Sequence, residues 1–210
     1  MRRTVAAFDF DGTLTRRDTL VPFLTRVAGR GAVLRARGAE SPRRARAAAG
    51  RGDRDRAKER VLTRVLAGHA HADVAVAGRA FGEALTRTAV TRQARDRIAW
   101  HRREGHEVVI VSASLDVYLV EVGRVLGIAH VLCTSLAVDD AGRCTGLLLG
   151  ANCRGAEKLH RLRAFVGDDD AELWAYGNSS GDDEMLAAAH HPVRVRRGQV
   201  RPPGVAGSRA

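Results

Sequence analysis

The chain has 210 residues, 45% of them hydrophobic and 28% charged, the composition of a globular protein with one domain, or one domain plus an insertion. No apolar run approaches the roughly 18 residues of a membrane helix, and Met1-Arg2-Arg3-Thr4 lacks a signal peptide's apolar segment. Three cysteines without a CxxC pair (Cys133, Cys144, Cys153) argue against a disulfide framework and a four-cysteine zinc site, so a cytoplasmic location is expected.

The formal net charge is +11, from 35 basic and 24 acidic residues. Only Lys58 and Lys158 are lysines; the other basic residues are arginines. Such an excess reads as a solvated arginine-rich surface, or as attraction to an acidic partner or substrate.

In chain order, Thr4 to Phe10 is a short apolar run closed by a glycine turn, which predicts a buried strand. A helix is expected from Asp18 to Val27, with Asp18 as its cap. The Ala/Arg-rich stretch from Gly29 to Arg60 predicts helices broken at Gly29, Gly31, Gly38, Ser41-Pro42, Gly50 and Gly52. Arg56 to Leu66, Ala72 to Thr86 and Gln93 to Glu104 space apolar residues by three and four, as helices do. His106 to Ser112 is the clearest strand, followed by a helix over Val117 to Leu126. Val131 to Ser135 reads as a strand, and Leu136 to Val138 pairs with Cys144 to Leu149 across the hairpin signal Asp139-Asp140-Ala141-Gly142. A helix from Glu157 to Val166, a strand from Leu173 to Tyr176, a helix around Asp183 to Ala189 and a strand from Val193 to Val195 follow. From Gln199 on, Pro202-Pro203-Gly204 and small residues predict a loose tail over 199–210.

Alternating strands and helices predict an α/β fold with a parallel sheet and crossover helices, interrupted by an inserted helical block. The expected division is a core of residues 1–15 and 89–198 and a helical cap of residues 16–88. Ligands of open α/β sheets bind at the carboxyl ends of the strands, so the polar residues there are the candidates.

The first strand ends in Asp9-Phe10-Asp11-Gly12-Thr13. Two carboxylates two residues apart are costly together unless a cation lies between them or one holds a proton. The second strand ends in Ser112-Ala113-Ser114, where a hydroxyl and the backbone amides entering a helix could hold an anion. Lys158 begins a helix, and a compact ammonium suits a phosphate oxygen. The later strand ends in Gly177-Asn178-Ser179-Ser180-Gly181-Asp182-Asp183, an acidic turn suited to a hard cation.

With these four motifs in order, the chain resembles the haloacid dehalogenase-like hydrolase superfamily, mostly Mg²⁺-dependent phosphatases. It is most similar to the phosphoserine phosphatase-like subfamily, through Gly142-Arg-Cys-Thr-Gly146, Gly150-x-x-Cys153-x-Gly155-x-x-Lys158, Arg161-Leu162 and Tyr176-Gly-Asn-Ser-x-Gly-Asp182. The likeness covers about residues 4–28 and 90–196 and implies a Rossmann-like core with an inserted helical cap of the C1 type. It implies Asp9 as nucleophile and metal ligand, and Asp11 as general acid and base with a metal-binding backbone carbonyl. Ser112, Ala113 and Lys158 would hold the phosphoryl group, and Asp182 the Mg²⁺. Many relatives have Asp where this chain has Asn178, which here would orient a metal-bound water.

The implied substrate is a small phosphorylated metabolite, with phosphoserine as the family guess; nucleic acid is not an expected partner. Asp18 could meet a substrate amine, as an acidic residue does in phosphoserine phosphatases, or simply cap its helix. Ten basic residues and four acids between Arg35 and Arg60 make either a solvated helical surface or a reader of a second anionic group. His69, His71 and the His190-His191 pair read as surface histidines. Two rival readings remain at this point: a binding protein on the same fold, motivated by Asn178 and the basic cap, and a phosphotransferase.

Overall fold

The computed structural model describes residues 2–39, 51–167, 170–196 and 198–200. Its centre is a six-stranded sheet of β1 (Thr4–Phe8), β2 (Glu107–Leu115), β3 (His130–Val138), β4 (Cys144–Leu149), β5 (Glu172–Gly177) and β6 (His191–Arg194), in the order β4-β3-β2-β1-β5-β6. The helices are α1 (Leu20–Gly38), α2 (Arg51–Leu66), α3 (His71–Thr88), α4 (Arg92–Arg103), α5 (Asp116–Leu126), α6 (Ala156–Val166) and α7 (Asp183–Ala187). β1 pairs in parallel with both β2 and β5. The chain therefore leaves β1 toward one side of the sheet and later returns on the other, which opens a crevice at the carboxyl end of β1. β4 joins β3 antiparallel, so the sheet is mixed rather than wholly parallel; the cause is the expected hairpin at Asp139 to Gly142.

Strand periodicity accounts for the two cores. Val5, Ala6, Ala7 and Phe8 are all fully buried. Ala6 and Phe8 belong to one apolar cluster with Ile110, Leu14 and Phe23, and Val5 and Ala7 to another with Val109, Val111, Leu162 and Met185. Alternate side chains point to opposite faces, and helices cover both. A strand buried on both faces is continuously apolar rather than alternating, as Val-Ala-Ala-Phe is.

Between β1 and α4 the chain makes a π-helical turn over Phe10–Leu14 and then α1 to α3. The two ends of this excursion lie side by side: Thr15 bridges Val90 antiparallel, and Thr91 N–H donates to the Leu14 carbonyl at 3.0 Å. α1 packs on α2, α2 on β4, and α3 along α5. The α3–α5 approach requires Gly78 and Gly82, because a Cβ there would stand 2.1 Å from the Val117 carbonyl oxygen and 2.5 Å from that of Tyr118.

Several boundaries differ from expectation. Gly29 kinks α1 rather than ending it (φ 80°, ψ 159°), so the helix runs on to Gly38. β2 continues three residues beyond Ser112, because a bulge between Ser112 and Leu115 lets the pairing with β3 resume. β3 is one strand where two were expected, and β6 covers His191–Arg194 rather than 193–195. Gln199 and Val200, expected in a loose tail, are both held: Gln199 bridges Arg196, and Val200 is buried in the larger core. Positions 201–210 and 40–50, with the expected breaks at Ser41-Pro42 and Gly50, lie outside the described residues.

Candidate active site

β1 stops at Phe8 because Asp9 and Asp11 leave the sheet as the chain turns. Asp9 is extended, with its N–H donating to the Tyr176 carbonyl at 2.9 Å. Asp11 lies in the turn that Gly12 allows (φ 78°). Side chains from three strand ends and from the first turn of α6 then face a cleft of about 330 Å³, lined by Asp9, Asp11, Ser112, Lys158, Asn178 and Asp182, and also by Asp18. Ala113 lines it too, so every expected site residue borders one cavity.

Lys158 sits in the first turn of α6, buried, with its Nζ donating to Asp9 Oδ1 at 2.6 Å and to Asp182 Oδ1 at 2.5 Å. Asp9 Oδ2 accepts from Thr13 Oγ1 at 3.0 Å. Asp182 Oδ2 accepts from the Asn178 and Ser179 amides at 3.0 and 2.9 Å and from Ser179 Oγ at 3.0 Å. Burial and charge oppose each other here. Burial pushes the Asp9 carboxyl up despite Lys158. The same desolvation acts on Asp182, but Lys158 and the Ser179 donors outweigh it and hold that carboxyl below its usual range. The two carboxylates overcome burial at Lys158 and raise its ammonium, keeping it charged.

Asp11 is held differently. Ser114 Oγ donates to its Oδ2 at 2.6 Å, while its Oδ1 is buried without a hydrogen-bond partner. Burial, with the charges of Asp18 and Asp9 behind it, pushes this carboxyl up to about 7 against the Ser114 bond. Asp11 is thus an acid poised near neutrality. Ser112 Oγ accepts from the Ser114 amide at 3.1 Å. Ser112 was expected at a helix N-terminus, but it stands in the bulged end of β2, and α5 starts only at Asp116. Thr19, not Asp18, is the N-cap residue of α1, but Asp18 accepts from the Leu20 and Val21 amides at 3.1 and 3.4 Å and also borders the cleft.

The haloacid dehalogenase-like hydrolase family matches residues 6–187 of this chain. The chain belongs to that family. This hydrolase is 37% identical to Protein CicA of Caulobacter vibrioides over 199 residues, which cover 93% of the chain and 87% of CicA. Over 105 residues it is 34% identical to a probable phosphatase of Mycobacterium tuberculosis, covering 49% of the chain and 36% of that protein. Among solved structures, a protein of unknown function from Bordetella pertussis Tohama I aligns with a TM-score of 0.67 at 26% identity, over 92% of this chain and 90% of that one. A phosphoserine phosphatase in its apo form aligns with a TM-score of 0.62 at 19% identity, over 90% and 84% of the two chains, a likeness of fold.

Members of this hydrolase family often use Mg²⁺. Among the described residues, no three His, Cys, Asp or Glu side chains form a metal-binding group. Mg²⁺ is held mostly by one or two carboxylates, water and substrate phosphate, not by an all-protein cage, so the donor chemistry is the test. The donors offered are all oxygens, Asp11 Oδ1 is an orphan, and the carboxylates of Asp9 and Asp182 outnumber the ammonium between them. The residues of this hydrolase therefore fit such an ion.

Other residues that were given no role from the sequence also border or brace the cleft. Thr13 holds the Asp9 carboxylate and Ser114 that of Asp11, and Arg16, Arg17 and Arg154 give the cleft a cationic rim. Lys58 of α2 reaches the Ala113 carbonyl. Its signal was available, since it is the other lysine of the chain. The three cysteines are buried and free, and burial pushes the thiols of Cys133 and Cys153 up to about 12 and about 11, so they are poor nucleophiles. Among the described residues, no helix is long and apolar enough to cross a membrane.

Proposed function

We propose that the protein is a Mg²⁺-dependent phosphomonoesterase that hydrolyses a small phosphorylated metabolite through a phosphorylated Asp9. The observation that carries this reading is the pairing of a buried carboxylate held by Lys158 at 2.6 Å with a second carboxyl, two residues on, that accepts from Ser114 Oγ at 2.6 Å and whose other oxygen is buried without a hydrogen-bond partner.

In the first step the Asp9 carboxylate attacks phosphorus, the bond to the ester oxygen breaks, and Asp11 gives its proton to the leaving alkoxide. In the second, the Asp11 carboxylate takes a proton from water as that water's oxygen attacks phosphorus, which releases phosphate and the Asp9 carboxylate. Lys158, the Ser112 hydroxyl and the Ala113 amide would hold the phosphoryl oxygens and neutralise their charge. Asp9, Asp182 and the Asp11 backbone carbonyl would hold Mg²⁺, with Asn178 beside it. A bound Mg²⁺ supplies charge that lets an anionic nucleophile approach an anionic phosphate.

The excursion of residues 16–88 is read as the cap, hinged where Thr15 meets Val90. Phosphoserine is the first substrate to try. Asp18, which borders the cleft, suits its amine, although its carboxylate already accepts from the first amides of α1. Buried free thiols agree with a reducing, cytoplasmic setting.

The test is phosphate release from a panel of phosphorylated metabolites, with and without Mg²⁺, by wild type and Asp9→Asn. Release that needs both Mg²⁺ and Asp9 supports the reading. An active Asp9→Asn protein would overturn the mechanism, and no release from any compound would favour a binding role.

A further inference from the structure

Lys58 lies on α2, outside the four motifs, yet its Nζ is spent inside the site. It donates to the Ala113 carbonyl at 2.6 Å and to Asn152 Oδ1 at 2.7 Å. Asn152 is itself buried; its Nδ2 donates to Asp55 Oδ1 at 2.6 Å, and its Oδ1 also accepts from Thr134 Oγ1 at 2.9 Å. Asp55 and Lys58 are three residues apart, so they share one face of α2. One helix face is thus clipped to the bulged end of β2 and to the segment after β4.

The Ala113 carbonyl belongs to the same peptide unit as the Ser114 N–H. That N–H donates to Ser112 Oγ at 3.1 Å, and Ser114 Oγ donates to Asp11 Oδ2 at 2.6 Å. A charged donor on the carbonyl polarises the peptide and strengthens its N–H. It also fixes the rotation of the peptide plane. The Ser112 oxygen then accepts a hydrogen bond from behind and keeps its own O–H for an acceptor in the cleft.

We propose that Lys58 is a positioning residue that makes the anion-binding set of the Ser112 hydroxyl depend on the docking of α2. Burial, opposed by Asp55 and other nearby charges, brings the Lys58 ammonium down to about 8, in keeping with a cation turned away from solvent. The proposal rests on the phosphatase reading for its use in turnover, but it can be tested without turnover.

The experiment is a double-mutant cycle on inorganic phosphate affinity, measured by calorimetry for wild type, Lys58→Met, Ser112→Ala and the double variant. A charge-assisted bond is worth about ten- to a hundredfold, so Lys58→Met should weaken phosphate about tenfold. In the Ser112→Ala background it should cost less than twofold, because the hydroxyl it orients is gone. Losses that simply multiply would make Lys58 a tether of α2 and overturn the proposal, as would an unchanged affinity in Lys58→Met. If Lys58→Met does not fold, Lys58→Gln, with a shorter neutral donor, carries the same cycle. Lys58→Arg should restore part of the affinity, since it keeps a cation of similar reach. Turnover of p-nitrophenyl phosphate by the same proteins separates the two readings. An inactive wild type that binds phosphate sinks the phosphatase and leaves the cycle to decide on Lys58; a wild type that binds no phosphate sinks both.

Discussion

Asn178 packs its amide against Gly12 so closely that a Cβ on Gly12 would stand 1.8 Å from Asn178 Nδ2. The first and last motifs are thus in direct contact, and the fit depends on a residue without a side chain. Gly12 also has a φ of 78°, which costs an L-residue about 1–2 kcal/mol. Gly12→Ala should therefore lower Tm by about 5 °C, at roughly 2–4 °C per kcal/mol for a chain of this size, and cut turnover about a hundredfold by displacing the turn that carries Asp11. Adding Asn178→Ala should recover part of the Tm, because it removes the overlap and leaves only the backbone strain. A Gly12→Ala protein with wild-type Tm and activity would refute the tight fit.

Lys158 is the only cation within hydrogen-bonding distance of both Asp9 and Asp182 among the described residues. Truncating one partner of a buried charge pair costs about 3–5 kcal/mol. Lys158→Met should lose about that much stability at neutral pH and regain part of it at pH 5, where a proton shared by the two carboxylates replaces the ammonium. Its turnover should fall about a thousandfold. Lys158→Arg should not rescue it, since a planar guanidinium cannot sit as a point between two carboxylate oxygens 2.6 and 2.5 Å away. Urea unfolding at the two pH values checks the first part, and steady-state kinetics the second.

The Asp11 carboxyl, pushed up to about 7 chiefly by burial, carries a pH prediction. As general acid it acts protonated, and that form declines above pH 7. For an alkyl phosphate, whose leaving group needs the proton, kcat/KM should fall about tenfold per pH unit above that value. For p-nitrophenyl phosphate, which leaves without help, the profile should be flatter, and Asp11→Asn should cost far less than for the alkyl ester. Parallel profiles for the two esters would remove Asp11 from the acid role.

The site was legible in the sequence where an apolar strand ran straight into polar residues, as at Phe8-Asp9 and Ile110-Val111-Ser112, because burial on both faces leaves no other pattern for such strands. The extent of β2 was not, since Ser112-Ala113-Ser114 reads as the passage from strand to helix and only a bulge against β3 keeps it paired. Burial of Val200 depends on residues far away in sequence, which local composition cannot show. Lys58 was half legible. Its rarity could be seen, but its target, the Ala113 carbonyl, exists only once α2 is docked.

The Tyr176 side chain of β5 and its histidine partner offer a stability prediction. His101 is fully buried, with Nε2 2.9 Å from the Tyr176 hydroxyl, Nδ1 2.8 Å from His106 Nδ1, and its ring edge-on to Phe8. Burial, helped by the charges of His106 and Arg97, pulls its pKa down from 6.5 to about 3. Between those values the unfolded chain binds a proton that the folded one refuses, so stability is lost as pH falls, by about 1.4 kcal/mol per unit. Asp11 works in the opposite sense, because its raised pKa favours the folded state below about 7. The contribution of His101 is therefore read as a difference. Between pH 6.5 and 4.5, wild type should lose about 2–3 kcal/mol more than His101→Gln, which cannot titrate and keeps a partner for Tyr176. Urea unfolding curves across that range check it, and parallel stability curves for the two proteins would show that His101 takes up its proton without unfolding the core.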